Sequence, residues 1–572
     1  MSVPGVLFFG LSKFYIEVCQ SKPVLLRLTV DAFQSLLTRF SLQGPISEFS
    51  LKPDQKLLSL PIDFFDGFGV VSPETINLKK VVLFLRKPCH DQIAFIKDRV
   101  IDKSVIGEIY GPPGTGKSII SYCCAALISR EQGWKVIWLN ICSDVRLSLS
   151  DVEVIIFAHG QKFRKTLEKD ALFRSLSEMT PNPEHKILIV IDGFSDALAS
   201  FETEVLNWLR RDETNRALLA ITTGVTVNHA KKYCDMQKNI ERFQQVSWKW
   251  EEYLDAIGFD ELYENVADVL DSASDAITPL EKLRAKFFFA GSCARCMFCL
   301  NASDVKEFTL FFFSRSDFGD ILADIGPSSN VSRMFGWPAS PGVLFFVSDY
   351  VNSLLSDAKT PIQILLLMTG SLGSCYPTVN RSLFVNLFFS IARRRSQIFL
   401  SDKDGKEIVW NSWCNVQFFD SEKPSQTVCS EKCWLRPADP VKPGFDGVFL
   451  YTKTRMVNGA ASNVSDQTAE PIEKKEIRVA RFVKITDPSD CQLKLQCIHD
   501  FAQALIKLGV FNVDEVEINF IVWNDLLEAC AIGEVESPAA LVPFNWPQKE
   551  DEVKAKVSFL GLHLERNIFF SY

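Results

Sequence analysis

The sequence predicts a three-layer α/β core built around a P-loop, covered by a helical lid and followed by a second α/β domain. Three observations carry that prediction. The run Gly111-Pro112-Pro113-Gly114-Thr115-Gly116-Lys117-Ser118 lies between an apolar stretch ending Ile106–Tyr110 and a helix-forming stretch, Ile119–Ile128. Short apolar strands then alternate with polar segments of helical spacing as far as residue 245, the pattern of a parallel sheet with helices on both faces. From Trp248 to about Met368 the periodicity turns helical.

The loop comes first because its chemistry is the most specific. Glycines let backbone N–H groups turn inward around phosphate oxygens, and the helix that follows aims the positive end of its dipole at them. The whole run Gly111, Pro112, Pro113, Gly114, Thr115, Gly116, Lys117 and Ser118 is therefore expected to bind a nucleoside triphosphate, ATP. Lys117 would reach the β- and γ-phosphates, and Ser118 would hold Mg²⁺.

The elements after the loop follow in order. Arg130–Gly133 reads as a helix end with glycine past the last turn. Trp134–Ile141 reads as a strand, and Phe163–Ser177 carries helical spacing and charge. Lys186–Ile191 is an apolar strand suited to the middle of a parallel sheet, and it ends at Asp192. A carboxylate there is placed to hold Mg²⁺ through water. Gly193 occupies the position at which a catalytic glutamate often follows, so Asp196 is the nearest group to polarise an attacking water. Arg216–Ile221 is a further strand, ending in Thr222 and Thr223; Thr222 is placed to sense the γ-phosphate, although threonines also end ordinary strands.

A chain of 572 residues exceeds one core, and about three or four domains are expected. The divisions fall at a mixed region 1–95, the P-loop core 96–245, the lid 246–375 and a C-terminal domain 376–572. Net charge is −8, which argues against wholesale attraction to nucleic acid and leaves DNA contact to local basic patches. No apolar run is long enough to span a bilayer, and Met1–Gly10 lacks a basic leader segment. The 16 cysteines are scattered, as suits reduced thiols of the cytoplasm or nucleus. Cys293-x-x-Cys296-x-x-Cys299 has the spacing of an iron–sulfur run but no fourth ligand, so helix packing accounts for it better than metal. Arg393–Arg395 is either a nuclear-import signal or a solvated helix end.

Lys286–Phe298 (KFFFAGSCARCMF) resembles the "aGGSaRwMF" signature of the Crinkler effectors of oomycetes and fungi and of the retrotransposon hot spot proteins of trypanosomes. Leu83–Arg86 is similar to that family's "fvR" segment and Trp248–Leu254 to its "WtleEYl", so the likeness spans roughly residues 80–370. It departs at Ser292, Cys293 and Cys296, where the family has glycine, serine and an aromatic, and the first eighty residues show neither the ubiquitin-like header nor the "LFLAK" delivery motif. The resemblance implies that Arg295 lies in the lid and approaches the nucleotide phosphates; an arginine pairing within the helical domain is the alternative. It also implies nuclear or host partners, DNA among them, and adds secretion into a host cell to the compartments above.

Members of that family often carry a restriction-endonuclease-like domain after the ATPase, which implies the same for residues 376–572. Such a site needs an aspartate on one strand and an acidic-x-lysine pair on the next. Asp446 precedes the apolar strand Gly447–Tyr451, and Ile477–Thr486 forms the next strand, with Lys484 in the lysine position. The acidic position holds Phe482, the helix Leu383–Ala392 supplies no glutamate, and a polar insertion, Thr452–Glu476, separates the strands. A single carboxylate holds Mg²⁺ poorly. Three functions remain open: an ATPase regulating a weakened nuclease-like domain, a non-catalytic ATP-dependent switch, and an active Mg²⁺-dependent nuclease using Asp446 and Lys484.

Overall fold

The computed structural model describes residues 41–66, 68, 80–140, 151–168, 186–194, 207–209, 214–222, 240–271, 278–316, 331–338, 344–370, 377–412, 415–419, 432–437, 444–457, 473–488 and 491–569. The first half contains β1 (Ser41–Pro45), β2 (Leu57–Pro61), β3 (Lys80–Phe84), α1 (Lys87–Ala94), β4 (Ile106–Tyr110), α2 (Lys117–Gln132), β5 (Lys135–Asn140), β6 (Asp151–Ala158), β7 (Gln161–Glu168), β8 (Ile187–Phe194), β9 (Arg216–Thr222) and β10 (Ile240–Gln244). Eight of these strands form one sheet in the order β1-β7-β6-β5-β8-β9-β4-β10.

Five neighbours, β5, β8, β9, β4 and β10, run parallel. Their near-continuous apolar runs follow from burial on both faces: all of β9 is buried, and so is most of β5. The strand before the glycine loop, β4, has later strands on both sides. Its carboxyl end is thus a topological switch point, where a crevice opens at the strand ends. Together these elements make an α/β fold of the P-loop ATPase-like type.

Helix α2 is buried from Ile120 to Ser129, and Gly133 ends it at φ 71° as the sequence predicts. Tyr122 fixes its orientation. The ring meets Phe64, Phe65, Phe68 and Trp138, contacts worth about 0.5–1.5 kcal/mol each. Its hydroxyl donates to the Phe64 carbonyl at 3.3 Å.

One sequence expectation fails here. Phe163–Glu168, expected to begin a helix, belongs to β7, which pairs antiparallel with β6 in the register Phe163↔Ile156. The reason is the turn between them: His159 and Gly160 both hold positive φ (54° and 71°), the geometry of a tight hairpin. Residues 169–177 lie outside the described residues.

The middle of the chain, where the sequence predicts the lid, contains α3 (Trp250–Ile257), α4 (Asp260–Asp271), α5 (Pro279–Ala290), α6 (Ala294–Phe298), α7 (Ala302–Arg315), a two-stranded pair β11 (Phe335–Gly336) and β12 (Phe345–Phe346), α8 (Asp349–Ala358) and α9 (Pro361–Thr369). Where the sequence predicts helical periodicity to continue, Phe345–Phe346 form β12, and α8 starts at Asp349, where the Ser348 side chain accepts from the Val351 N–H.

The last third contains α10 (Pro377–Arg394), β13 (Gln397–Ser401), β14 (Glu407–Asn411), β15 (Val416–Phe419), β16 (Cys433–Pro437), β17 (Gly447–Val457), β18 (Glu473–Ile485), β19 (Leu493–Lys494), α11 (Leu495–Lys507), β20 (Glu515–Trp523), β21 (Val535–Glu536), α12 (Glu550–Lys556) and β22 (Ser558–Leu562). Its mixed sheet runs β14-β13-β22-β20-β18-β17-β16-β15. β16, β17 and β18 form an antiparallel meander, and α11 then carries the chain to β20, parallel to β18. Both strands run further into the polar Thr452–Glu476 segment than expected, pairing as far as Val457↔Glu473. On one face Phe384, Phe388, Val483, Ile485 and Ile521 share a core with Leu355 of α8 and Ile364 of α9. On the other, α11 packs Leu495, Ile498 and Phe501 against Ala480 and Phe482.

Candidate functional site

The carboxyl ends of β4, β8 and β9 converge at the glycine-rich loop. Gly111, Gly114 and Gly116 hold φ of 151°, 76° and 100°, values that L side chains rarely adopt. At Gly114 the constraint is also steric, because a Cβ there would stand 2.3 Å from Cys293 Sγ. Pro112 and Pro113 occupy the turn, and the buried Thr115 hydroxyl closes it by donating to the Pro112 carbonyl at 3.0 Å.

Lys117 is the first residue of α2 and is buried. Its Nζ donates to the Gly111 and Pro112 carbonyls at 2.7 and 2.6 Å. Burial presses its ammonium down to about 7, with Asp192 pulling the other way and Arg295 and Arg333 adding to the depression. The Ser118 hydroxyl donates to Asp192 Oδ1 at 2.8 Å. Burial lifts the Asp192 carboxyl to about 6, opposed by Ser118, Lys117 and Arg295. Residues 74 apart in the chain, a serine and an aspartate, thus meet beside the loop. These groups fit ATP and Mg²⁺: a Cβ at Gly111 or Gly114 would clash, so backbone alone forms the loop there, and the serine–aspartate pair is the oxygen donor set that a magnesium ion beside phosphates uses.

Thr222 ends β9, paired with Phe194 of β8. Its hydroxyl is buried and has no hydrogen-bond partner among the described residues, as a group reserved for a ligand would be. Gly193 follows Asp192 at φ 87°, and the β8–β9 register shifts there. Asp196 and Thr223 lie outside the described residues.

Arg295, on α6, is exposed at the loop's edge. The next helix-entry residue back, Ala294, donates its N–H to the Gly114 carbonyl at 3.1 Å. Arg295 and Arg333 line one small pocket together with Pro113.

Sequence reasoning missed Arg333, as well as a polar frame behind the loop. Arg86 is 1% exposed. Its guanidinium donates to the carbonyls of Thr115 (3.1 Å), Ser247 (3.0 Å) and Val246 and to Glu252 Oε2 (3.0 Å), and it lies over the Trp248 ring. Gln92 donates to the Lys117 carbonyl and the Ser121 hydroxyl, each at 2.8 Å, and accepts from Gln245 at 3.0 Å. Arg86 stands in the segment that resembles "fvR", the one sequence signal that could have marked it.

In the C-terminal domain, Asp446 and Lys484 come together one step beyond the Gly447↔Val483 pair. Their surroundings do not fit a metal. Asp446 Oδ2 accepts from the Ile485 N–H at 2.7 Å, and burial raises its carboxyl. Lys484 Nζ donates to the Gln492 carbonyl at 3.0 Å. Phe482, in the acidic position, is fully buried against Phe445 and Phe501. No cluster of three or more His, Cys, Asp or Glu able to hold a metal exists among the described residues.

No family model matches the chain, and no curated protein does. Among solved structures, C. elegans PCH-2 is similar at 12% identity and TM-score 0.24, over 48% of this chain and 72% of that one. A Signal Transduction ATPase with Numerous Domains (STAND) protein with a tetratricopeptide repeat sensor, from Pyrococcus horikoshii, is similar at 13% identity and TM-score 0.18, over 53% of this chain and 50% of that one. Scores this low carry no weight of their own; the fold rests on the strand order and the loop. No helix among the described residues is long and apolar enough to cross a membrane.

Proposed function

We propose that the chain is a regulatory P-loop ATPase whose lid passes the nucleotide state to the C-terminal domain. The contact between Ser118 and Asp192, 2.8 Å at the mouth of the glycine loop, carries this reading. Magnesium bound there would neutralise charge on the phosphates and withdraw electron density from the bond being broken. The amides of Gly114–Ser118 grip phosphate oxygens. Lys117 would exchange its two carbonyl acceptors for phosphate, and Ser118 and Asp192 would be the residues that hold the cation. Thr222 offers its hydroxyl, which has no partner among the described residues, and Arg295 and Arg333 bring positive charge from the lid side. Because Ala294 is bonded to Gly114, movement of the loop is felt at once by α6. The resemblance to Crinkler and retrotransposon hot spot proteins supports this architecture of ATPase plus effector domain, with nuclear or host proteins and DNA as partner classes.

Substituting Lys117→Ala tests the reading. Loss of ATP binding by more than about a hundredfold, as removal of a charge-assisted contact predicts, supports it; unchanged affinity in a folded variant removes it.

A second reading, an ATP-dependent switch without hydrolysis, is favoured by the bulge at Gly193, which leaves no carboxylate directly after Asp192. Release of labelled phosphate above background decides for hydrolysis and makes Asp196 the group to mutate next. For the C-terminal domain, the bonded state of Asp446 and the aromatic filling at Phe482 favour a binding module of nuclease-like fold without metal chemistry.

A further inference from the structure

Gln245, Val246, Ser247 and Trp248 lead from β10 toward α3, and they are bonded to the back of the glycine loop and to the helices beyond it. Gln245 brackets the loop. Its N–H donates to the Tyr110 carbonyl at 2.8 Å, and its own carbonyl stands so close to Gly111 that a Cβ there would collide with it. At the loop's other end, Gln245 Nε2 donates to Gln92 Oε1 at 3.0 Å, and Gln92 Nε2 donates to the Lys117 carbonyl and the Ser121 hydroxyl. The Val246 and Ser247 carbonyls accept from Arg86, which also holds the Thr115 carbonyl.

The same residues reach onward. The Ser247 N–H donates to the Trp337 carbonyl at 2.9 Å, and its hydroxyl accepts from the Trp337 N–H at 3.0 Å. The Trp248 N–H donates to the Ser292 carbonyl at 3.2 Å, and the Ser292 N–H donates to the Val347 carbonyl at 2.9 Å.

Packing alone does not call for such an arrangement. Gln92 and Gln245 are both 0% exposed, and Gln245 Oε1 finds no donor among the described residues. An apolar pair of similar shape would avoid that cost. What the two amides hold is the residue before the loop and the first turn of α2. A phosphate in the loop would draw Lys117 away from the Gly111 and Pro112 carbonyls, and Gly111 is the residue that Gln245 abuts.

We infer that Gln245 is a positioning residue, which with Gln92 sets the span between the two ends of the loop and carries the loop's nucleotide state to the Gln245–Trp248 segment. The inference rests on the P-loop reading and names the joint through which that site acts on the helices after β10. Gln245→Leu cuts the side-chain link to α2, whereas Gln92 keeps both of its own bonds there. The segment then loses its tie to the start of α2 while the loop keeps its glycines, Lys117 and Ser118.

The test is hydrogen–deuterium exchange of the full chain, read by mass spectrometry without and with saturating ATP·Mg, together with calorimetric ATP affinity and the urea midpoint. In the wild-type chain, ATP slows exchange by roughly tenfold or more in peptides covering the loop and in those covering 245–248, 292 and 337. Gln245→Leu binds ATP about tenfold more weakly; at saturation its loop is still protected, but the protection at 245–248, 292 and 337 is gone. Gln92→Leu loses the same protection, and the double variant loses no more than either single one, since the two amides form one chain. A purely structural role would lower the urea midpoint and leave the ATP-dependent protection in place. Wild-type chain that binds ATP with no change at 245–248, or a Gln245→Leu chain that keeps the full effect there, overturns the proposal and leaves the P-loop reading standing. If Gln245→Leu does not fold, the wild-type comparison and Gln92→Leu decide in the same way. If the wild-type chain takes up no ATP, the P-loop reading falls and this inference falls with it.

Discussion

Arg86 shows how one residue holds the site. It carries a full charge at 1% exposure, with three carbonyls, one carboxylate and one indole ring around it. Thr115 belongs to the glycine loop and Ser247 to the segment entering α3, so this guanidinium joins the two. Replacing it takes this donor from the buried Thr115, Val246 and Ser247 carbonyls, while Glu252 keeps only the Lys249 N–H at 2.9 Å. Arg86→Met is therefore predicted to cost about 3 kcal/mol of stability, read as a lower urea midpoint, and to weaken ATP binding through the loop. Arg86→Lys keeps the charge but not the planar fork and should recover only part of both. An unchanged midpoint for Arg86→Met contradicts this account of the frame.

At the level of elements, α5 is fastened to its neighbours by a buried lysine. Lys286 Nζ donates to the Val269 carbonyl at 3.2 Å and the Met297 carbonyl at 2.5 Å, tying α4, α5 and α6 together. Burial presses this ammonium down to about 8 from 10.5, partly offset by Cys299, Cys296 and Asp304. The folded chain therefore sheds the proton near pH 8 and the unfolded chain near 10.5. Between those values the unfolded state binds more protons, so Lys286 makes stability rise with pH across that window, and its cost is fully present below it. Lys286→Met should flatten this part of the stability–pH curve relative to wild type in chemical unfolding from pH 7 to 10; an identical slope contradicts it. The sequence made β4, the loop, α2, β8 and β9 legible because each is announced by a local run or turn. The β6–β7 hairpin escaped because charges at Lys162, Arg164 and Lys165 imitate a helical face, and a His-Gly turn is a weak signal. Arg86, Gln92, Gln245 and Arg333 escaped for a different reason. Their partners are distant in sequence, 161 residues for Arg86 and Ser247, and no local pattern records such contacts. The opposition of Asp446 and Lys484 was legible; the Ile485 and Gln492 bonds that occupy them were not.

Across the whole molecule, the lid and the C-terminal sheet share apolar surface, since α8, α9 and α10 contribute to one core with β18, β20 and β22. Polar ties reinforce the seam. Buried Arg436 of β16 donates to the Ser356 hydroxyl at 3.3 Å and stacks on Phe389. The basic run at the end of α10 is spent in the same way: Arg393 pairs with Asp357 at 2.8 Å, Arg394 donates to the Ser356 and Asp357 carbonyls, and Arg395 to the Ile568 carbonyl. A change at Gly114 thus has a packed route through α6 and its neighbouring helices to the C-terminal sheet, the route that the proposed control by ATP would use. All of this depends on a triphosphate entering the loop. Calorimetric titration of the reduced chain with ATP, with and without Mg²⁺, tests that most directly. The prediction is a saturable, one-to-one heat that weakens when Mg²⁺ is removed and loses its Mg²⁺ dependence in Asp192→Asn. A flat titration in both conditions, from a folded protein, would contradict it.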